Sequence, residues 1–381
     1  MGGLVGGTAF STGGPTVLTE SEAAEADAQI YANDFGVSLE VAKQRLADQG
    51  QIGQAIAALR DGEPSTFAGA WVEHTPKWQV IVRTTAAGPS ATAVEGYFSA
   101  STIPVTVKSD APWSEQQALS NLQAMEEALE GTFDEYTLYL DPREPKGVTV
   151  SVRIPSNMVG STPAQLNRLL PDLVTEKSSA VGWHDGPLSR KEAVYGGAEI
   201  QFRNNDDLHC TTGFAVETSR GLTGLLTAEH CSDDGDVDYH SPDDDDYAMT
   251  FVAGRDDDSG DFAWYTTGEV EDNRIYSAPN TLRNITSYED DFDDLFIGQQ
   301  ICRYGRKTGA KCDTIRVLRE NVNEVLMEKN IAEGGDSGGP WFFGNKAYGV
   351  HEGERYSWGH RDAWSSVAFL EDSISVTVLT D

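Results

Sequence analysis

The stretch Gly334-Gly335-Asp336-Ser337-Gly338-Gly339-Pro340 sets one serine between pairs of glycines. A serine hydroxyl is a weak nucleophile at neutral pH and needs an adjacent base and a cradle for the oxyanion. Glycine tolerates positive φ, so this backbone can turn sharply and offer the N–H groups of Gly335 and Ser337 as an oxyanion hole while the Ser337 hydroxyl attacks. A base stands upstream in Leu226-Thr227-Ala228-Glu229-His230-Cys231, after the apolar run Leu222 to Leu226. Imidazole titrates near working pH, which suits His230 to general-base work. Asp261, in Gly260-Asp261-Phe262-Ala263-Trp264, leads into apolar and aromatic residues that read as a strand entering a core. It is the acid placed to hold the imidazole's tautomer, whereas Asp256, Asp257 and Asp258 read as a solvated loop. Taken singly, the heptad is a glycine-rich turn and His230 a packed core histidine. Together they describe nucleophilic catalysis.

These residues need a frame, and the C-terminal half reads as all-β. Runs such as Phe214-Ala215-Val216, Phe262-Ala263-Trp264-Tyr265 and Ala347-Tyr348-Gly349-Val350 are separated by glycine and aspartate clusters. Only the last dozen residues, or Val367 to Asp372, are expected to hold a short helix. Residues 1–192 read as α+β. Thr19-x-x-Glu22 is a capping box opening a helix to about Phe35, and Ser38 caps another reaching about Leu59. Strands are expected at Ala70–Val72, Trp78–Arg83, Ile103–Val107, Tyr136–Leu140 and Val148–Ile154. Ser114-x-x-Gln117 opens a helix to about Glu130, and Thr162-Pro163-x-Gln165 starts a last one with proline at its first position.

The order His230, Asp261, Ser337 is that of the chymotrypsin-type barrels. From about Tyr195 to Asp381 the chain resembles the streptogrisin-type, bacterial branch of the chymotrypsin-fold serine peptidases. The resemblance rests on Cys210-Thr211-Thr212-Gly213-Phe214, Thr227-Ala228-Glu229-His230-Cys231, Asp261-Phe262-Ala263, Cys302-Arg303-Tyr304-Gly305-Arg306-Lys307-Thr308-Gly309 up to Cys312, and the Ser337 heptad. It implies an all-β double β-barrel with its site in the cleft between barrels, and endopeptidase action on polypeptides through an acyl-enzyme, with no cofactor and no metal. Four cysteines allow three connectivities. Proximity and the family pattern favour Cys210–Cys231 and Cys302–Cys312, which point to an oxidising, extracellular destination. Metal-ligand spacings such as Cys-x-x-Cys are absent. A third family bridge begins where Ile331 stands here.

The front half is either an unrelated binding domain or a pro-region that inhibits and helps fold the peptidase. Phe67-Ala68-Gly69-Ala70-Trp71-Val72, and Phe35-Gly36-Val37-Ser38 followed by Ala42-x-x-Arg45-Leu46, resemble streptogrisin pro-regions. The expected organisation is a zymogen. Residues 1–62 form a helical first part of the pro-region, 63–181 its α+β remainder, 182–197 a linker with the processing site, and 198–381 the peptidase. Arg190-Lys191 would suit a trypsin-like processing enzyme and Glu192 self-cleavage by a glutamate-preferring one.

Specificity is read from two places. Ile331, six residues before Ser337, argues against a trypsin-like preference because no aspartate stands there. Gly349-Val350-His351-Glu352-Gly353-Glu354 resembles the substrate-binding edge strand. Its Gly-x-His resembles glutamate-specific members, where the histidine helps neutralise the substrate carboxylate. Glu352 and Glu354 replace serines of those members and should repel an acidic side chain. Large apolar residues are the expected P1 preference, with glutamate as the alternative. An inactive binding scaffold is the rival from another class, prompted by Glu229 and Glu352.

The formal net charge is −33, and residues 193–381 hold 37 acids against 15 bases. Nucleic-acid binding is excluded, since phosphates need cations. Asp234-x-Asp236-x-Asp238 begins like a calcium loop but lacks the glycine and closing glutamate of an EF-hand. Solvated acidic loops are expected there, at Asp243 to Asp246 and at Glu289 to Asp294. No run is long enough to span a membrane. Met1 to Pro15 lacks the basic start and apolar core of a secretory signal, yet the disulfides favour a secreted monomer.

Overall fold

The computed structural model describes residues 16–129, 133, 136–154, 162–184, 197–202, 205–232, 237–240, 246–267, 271–278, 281–355 and 360–380. The amino-terminal fifteen residues, the junction carrying Arg190, Lys191 and Glu192, and Asp234, Asp236 and Asp243 lie outside the described residues.

Two barrels make up the C-terminal half. In the first, strands Glu199–Phe202, Asn205–Thr211, Ala215–Glu217, Thr223–Thr227, Val237–His240, Asp246–Asp257 and Gly260–Thr266 form one antiparallel array. Its two ends are the same piece of chain. Asn205–Thr211 continues through Thr212-Gly213-Phe214 into Ala215–Glu217, with Thr212 N–H donating to Ala198 O (3.1 Å) on one side and Gly213 N–H to Leu226 O (2.6 Å) on the other. That bent strand closes the barrel. A side chain at Gly213 would come within 2.9 Å of Gly338 O, so glycine lets the Ser337 loop press against the bend.

The second barrel closes by direct pairing. Lys346–Arg355, Pro340–Phe343, Gln300–Gly305, Gly309–Arg319, Glu324–Met327 and Arg361–Ser366 are neighbours in that order, and the last pairs back with the first. Gln300–Gly305 is buried along its whole length, as a strand lined on both faces must be. Cys210–Cys231 and Cys302–Cys312 are the disulfides. Helix Leu370–Ile374 follows a 3-10 turn at Val367–Phe369, but the residues after it return to β as Thr377–Val378, paired with Val216 and Glu217.

The front half is α+β. Thr19 and Glu22 form the reciprocal cap of helix Glu20–Phe35, which ends at Gly36 with φ 63°. The next helix does not run through to Leu59. It divides at Asp48 into Leu39–Ala47 and Gln49–Gly62, because Asp48 is buried and its carboxylate is held by Gln44 (3.0 Å) and Thr102 (3.3 Å). Two three-stranded sheets follow one plan, an antiparallel pair with a third strand parallel to the second. They are Phe67–Glu73, Gln79–Thr85 and Val105–Ala111, then Tyr136–Leu140, Val148–Arg153 and Ala180–His184. Helix Glu115–Leu129 lies between them, its start capped by Ser114 and Gln117. Helices Ala91–Tyr97 and Asp172–Lys177 and the strand Ala180–His184 escaped the sequence reading, being too short to develop a period. Thr162-Pro163 opens only one turn, Pro163–Leu166.

The run from Glu289 is not a solvated loop throughout. Glu289 is buried against Lys346 (3.0 Å), and Asp291 caps a 3-10 turn through Asp293 N–H (2.9 Å). The two halves meet through buried polar contacts. Asp27 takes a two-pronged contact from Arg283 (2.8 and 3.0 Å), and both side chains are 2% exposed. Removing one partner of such a pair strands a buried charge and costs about 3–5 kcal/mol. Asp27→Ala should therefore lower the urea midpoint of the full chain by that equivalent, and an unchanged midpoint would show that Arg283 finds water instead.

Candidate active site

His230 sits on a 3-10 turn, Glu229–Cys231, directly after strand Thr223–Thr227. The Cys210–Cys231 disulfide ties that turn to the neighbouring bent strand. Strand Gly260–Thr266 pairs antiparallel with Thr223–Thr227, with Thr227 opposite Ala263. Asp261, two residues earlier, consequently lies beneath the turn. Its carboxylate is fully buried. One oxygen meets His230 Nδ1 at 2.6 Å, and the other accepts the N–H groups of Glu229 (2.7 Å) and His230 (3.2 Å). A carboxylate can only accept, so Nδ1 carries the proton and Nε2 is left as the basic nitrogen. Behind it, Asp261 N–H donates to Ser365 Oγ (2.9 Å), and that hydroxyl donates to Glu352.

Ser337 comes from the second barrel and is 2% exposed. Thr211 N–H donates to Ser337 O (2.9 Å) and Gly338 N–H to His351 O (2.7 Å). Gly338 has φ 83°, and a Cβ there would lie 2.1 Å from Thr227 Oγ1 and 3.1 Å from Ala228 N. Only glycine lets the loop bearing Ser337 lie against the segment that runs into His230. Gly335 has φ 135°. Among the described residues no acceptor takes the N–H of Gly335 or of Ser337.

The loop is held from behind by Asp336, whose fully buried carboxylate meets Arg303 Nη2 (2.9 Å), Thr308 Oγ1 (2.7 Å) and Glu333 N–H (3.1 Å). Arg303 Nη2 also donates to Ile331 O (2.8 Å). These contacts all run through Asp336 Oδ2 and Arg303 Nη2, and they tie the Thr308 turn and the Ile331–Ser337 loop to one point.

The residues expected around the specificity pocket are distributed as follows. The Ile331 side chain packs against the Trp341 and Trp364 cluster, away from the cleft. His351 is buried, and its Nδ1 accepts from Trp341 Nε1 (3.4 Å). Burial, then the charge of Arg303, hold its pKa well below the ordinary histidine range, so the ring is neutral. Glu352 is buried and bonded to Ser365 and to Arg355 (2.8 Å), which also meets Glu324 (2.6 Å). Gly353, with φ 139°, sits at a register slip in the edge strand. Glu354 accepts from Asn330 Nδ2 (2.6 Å) and lies 3.3 Å from His360 Nδ1. A small cleft, of about 20 Å³, is lined by Ser337, His351, Gly353 and Glu354 together with Ala332 and Asp362.

Asp362 was missed in the sequence. It stands in the buried strand Arg361–Ser366, in which only Ala363 and Trp364 are apolar, so nothing local in the sequence marked it. Its carboxylate accepts the N–H groups of Ile331 (2.9 Å) and Ala332 (3.1 Å). Burial raises its pKa to about 7, against the pull of Arg303. Asp313, its buried acidic neighbour, is raised to about 6 for the same reason.

Among the described residues, two groups gather that could offer metal ligands. Cys210 and Cys231 gather with His230 but are joined in a disulfide, while Glu229, Asp256 and Asp261 approach one another with Asp261 bonded to His230 and two amides.

No family model matches the chain. Serine protease 2 of Streptomyces fradiae is 30% identical over 154 residues, covering 38% of this chain and 86% of that protein. Streptogrisin-C of Streptomyces griseus is 25% identical over 336 residues, covering 84% of this chain and 66% of that protein. The crystal structure of Thermobifida fusca Protease A is 25% identical, covering 50% of this chain and 100% of that one, with a TM-score of 0.38. Two closed barrels and these relatives make the chain a chymotrypsin-fold serine endopeptidase. The chain belongs to the streptogrisin-type serine peptidases.

The raised carboxyls set a pH dependence. A folded-state pKa above the unfolded value near 4 means that the stabilisation is full below pH 4 and lost as pH rises through about 6 to 7. The melting temperature should fall between pH 5 and pH 8. In Asp362→Asn that fall should be smaller by roughly 5 °C, and equal falls in both proteins would remove Asp362 as the cause.

Proposed function

We propose that Ser337, His230 and Asp261 form the catalytic triad of a peptidase made as a zymogen. The observation that carries the reading is the 2.6 Å His230–Asp261 contact, which leaves Nε2 basic, on a turn packed against the loop of Ser337. Nε2 takes the Ser337 proton as Oγ attacks the scissile carbonyl. The oxyanion then meets the N–H groups of Gly335 and Ser337, held in place beforehand by the Arg303–Asp336 pair. His230 returns the proton to the leaving amine, and water releases the acyl group by the reverse path. Asp261 stabilises the imidazolium without itself accepting the proton.

Residues 1–181 act as inhibitor and folding template, and residues 198–381 as the enzyme. Several observations support this. The likeness to Streptogrisin-C extends over 84% of the chain, into the front half. The front half is seated through Asp27–Arg283, through Gln49, which accepts from Gln300 N–H (2.6 Å), and through Val72 N–H, which donates to Ile297 O (3.0 Å). Arg143 grips Glu328 (3.1 Å), two residues before Asn330 in the chain. Barrels built from non-local contacts fold slowly, and a template lowers that barrier. The disulfides support secretion. Among the described residues no helix is long and apolar enough to cross a membrane.

Asp261→Asn should retain the fold and lose roughly 10⁴-fold in kcat, measured on a peptide amide after release of the front half. Turnover within threefold of the unsubstituted enzyme would remove Asp261 from the triad. In parallel, the full chain carrying Ser337→Ala should stay in one piece where the unsubstituted chain separates into its halves.

A further inference from the structure

We propose that the cleft beside Ser337 is an acidic specificity pocket, selecting lysine or arginine as the residue whose carbonyl is attacked through Asp362 and Glu354. This deepens the peptidase reading and rests on it. Three acids line the cleft, Glu333, Glu354 and Asp362, and none of its described lining residues is lysine or arginine. Asp362 comes from strand Arg361–Ser366, remote in sequence from the Ile331 position, yet its carboxylate is pinned by the Ile331 and Ala332 N–H groups. A carboxylate therefore lies at the pocket although no acid precedes the nucleophile loop.

Nearby cations are occupied elsewhere. Arg303 is committed to Asp336 and to Ile331 O, and Lys311 Nζ also donates to Ile331 O (2.8 Å). Arg355 is held between Glu352 and Glu324. Lys329 lies 3.9 Å from Asp313, and the half-exposed Lys307 donates to Gly334 O (3.1 Å) beside Glu333. His351 contributes no positive charge, because burial keeps it neutral. An acidic substrate side chain would meet Glu354, whose neighbours are Asn330 and His360, and Asp362, which carries its charge above about pH 7. A large apolar one would desolvate them without compensation. A side chain with an aliphatic stem and a terminal cation suits both the small walls at Ala332, Gly334 and Gly353 and the acids. Glu352, with its own arginine, takes no part.

The test uses the matured enzyme and peptide amides that differ only at the residue before the scissile bond: Lys, Arg, Phe, Leu or Glu. The expected kcat/KM for Lys and Arg exceeds that for Phe and Glu by roughly tenfold or more. Asp362→Asn should lower the Lys-to-Phe ratio by roughly tenfold, and Glu354→Gln by about threefold, since its carboxylate is closer to solvent. If Asp362→Asn does not fold, Glu354→Gln decides. A lead for Phe, Leu or Glu, or a ratio unmoved in the folded variants, overturns the pocket assignment. A fluorophosphonate, which needs no particular side chain, separates the two levels. An enzyme that labels but shows no basic preference overturns the pocket alone, and one that never labels overturns the peptidase reading beneath it.

Discussion

Asp261 has no exposed surface, and its carboxylate takes donors from a single three-residue turn. An isolated carboxylate in that position would cost several kcal/mol in lost hydration. The cost is offset only if the Glu229 and His230 amides and the imidazole Nδ1–H all arrive together. That requirement fixes the register of Gly260–Thr266 against Thr223–Thr227, since a slip of one residue would turn Asp261 to the other face of the sheet. It also fixes the closure of the first barrel, because the same turn is tied by Cys231 to the bent strand at Cys210. The second barrel then has to present Ser337 against that bend, through contacts that Gly213 and Gly338 leave room for.

The charge balance of the C-terminal half follows a related logic. With 37 acids against 15 bases in residues 193–381, several arginines are withdrawn from the surface to satisfy buried carboxylates. Arg303 with Asp336, Arg355 with Glu352 and Glu324, and Arg283 with Asp27 are pairs of this kind. Glu333, Glu354 and Asp362 are left lining the cleft. Two of these pairs also join separate parts of the chain, Arg303 joining loops of the second barrel and Arg283 joining the two halves. Electrostatics thereby sets both the shape of the nucleophile loop and the seating of the front half.

The motifs proposed for the triad stand out in the sequence because their pattern is local: a glycine-bracketed serine, a histidine beside a cysteine, and an acid before an apolar strand. The capping boxes at Thr19 and Ser114 were legible for the same reason, being complete within four residues. What escaped reading depends on distant partners. The break at Asp48 needs Thr102, the burial of Glu289 needs Lys346, and the role of Glu352 needs Ser365 and Arg355. The pocket shows the limit most clearly. Reading along the chain stops at Ile331 and finds no acid, whereas the barrel brings Asp362 to the Ile331 amide from another strand. The two short helices lacked the length for a periodic signal, while the strand Ala180–His184 went unread and Val105–Ala111 was anticipated in part.

Ser337 is proposed as a competent nucleophile whose access the front half controls. The most direct measurement is the mass of the chain after timed exposure to a fluorophosphonate, before and after the front half is released. The account predicts slow or absent labelling of the intact chain and rapid stoichiometric labelling at Ser337 once residues 198–381 are free. Equal rapid labelling in both states would contradict the control by the front half, and no labelling in either would contradict the catalytic assignment itself.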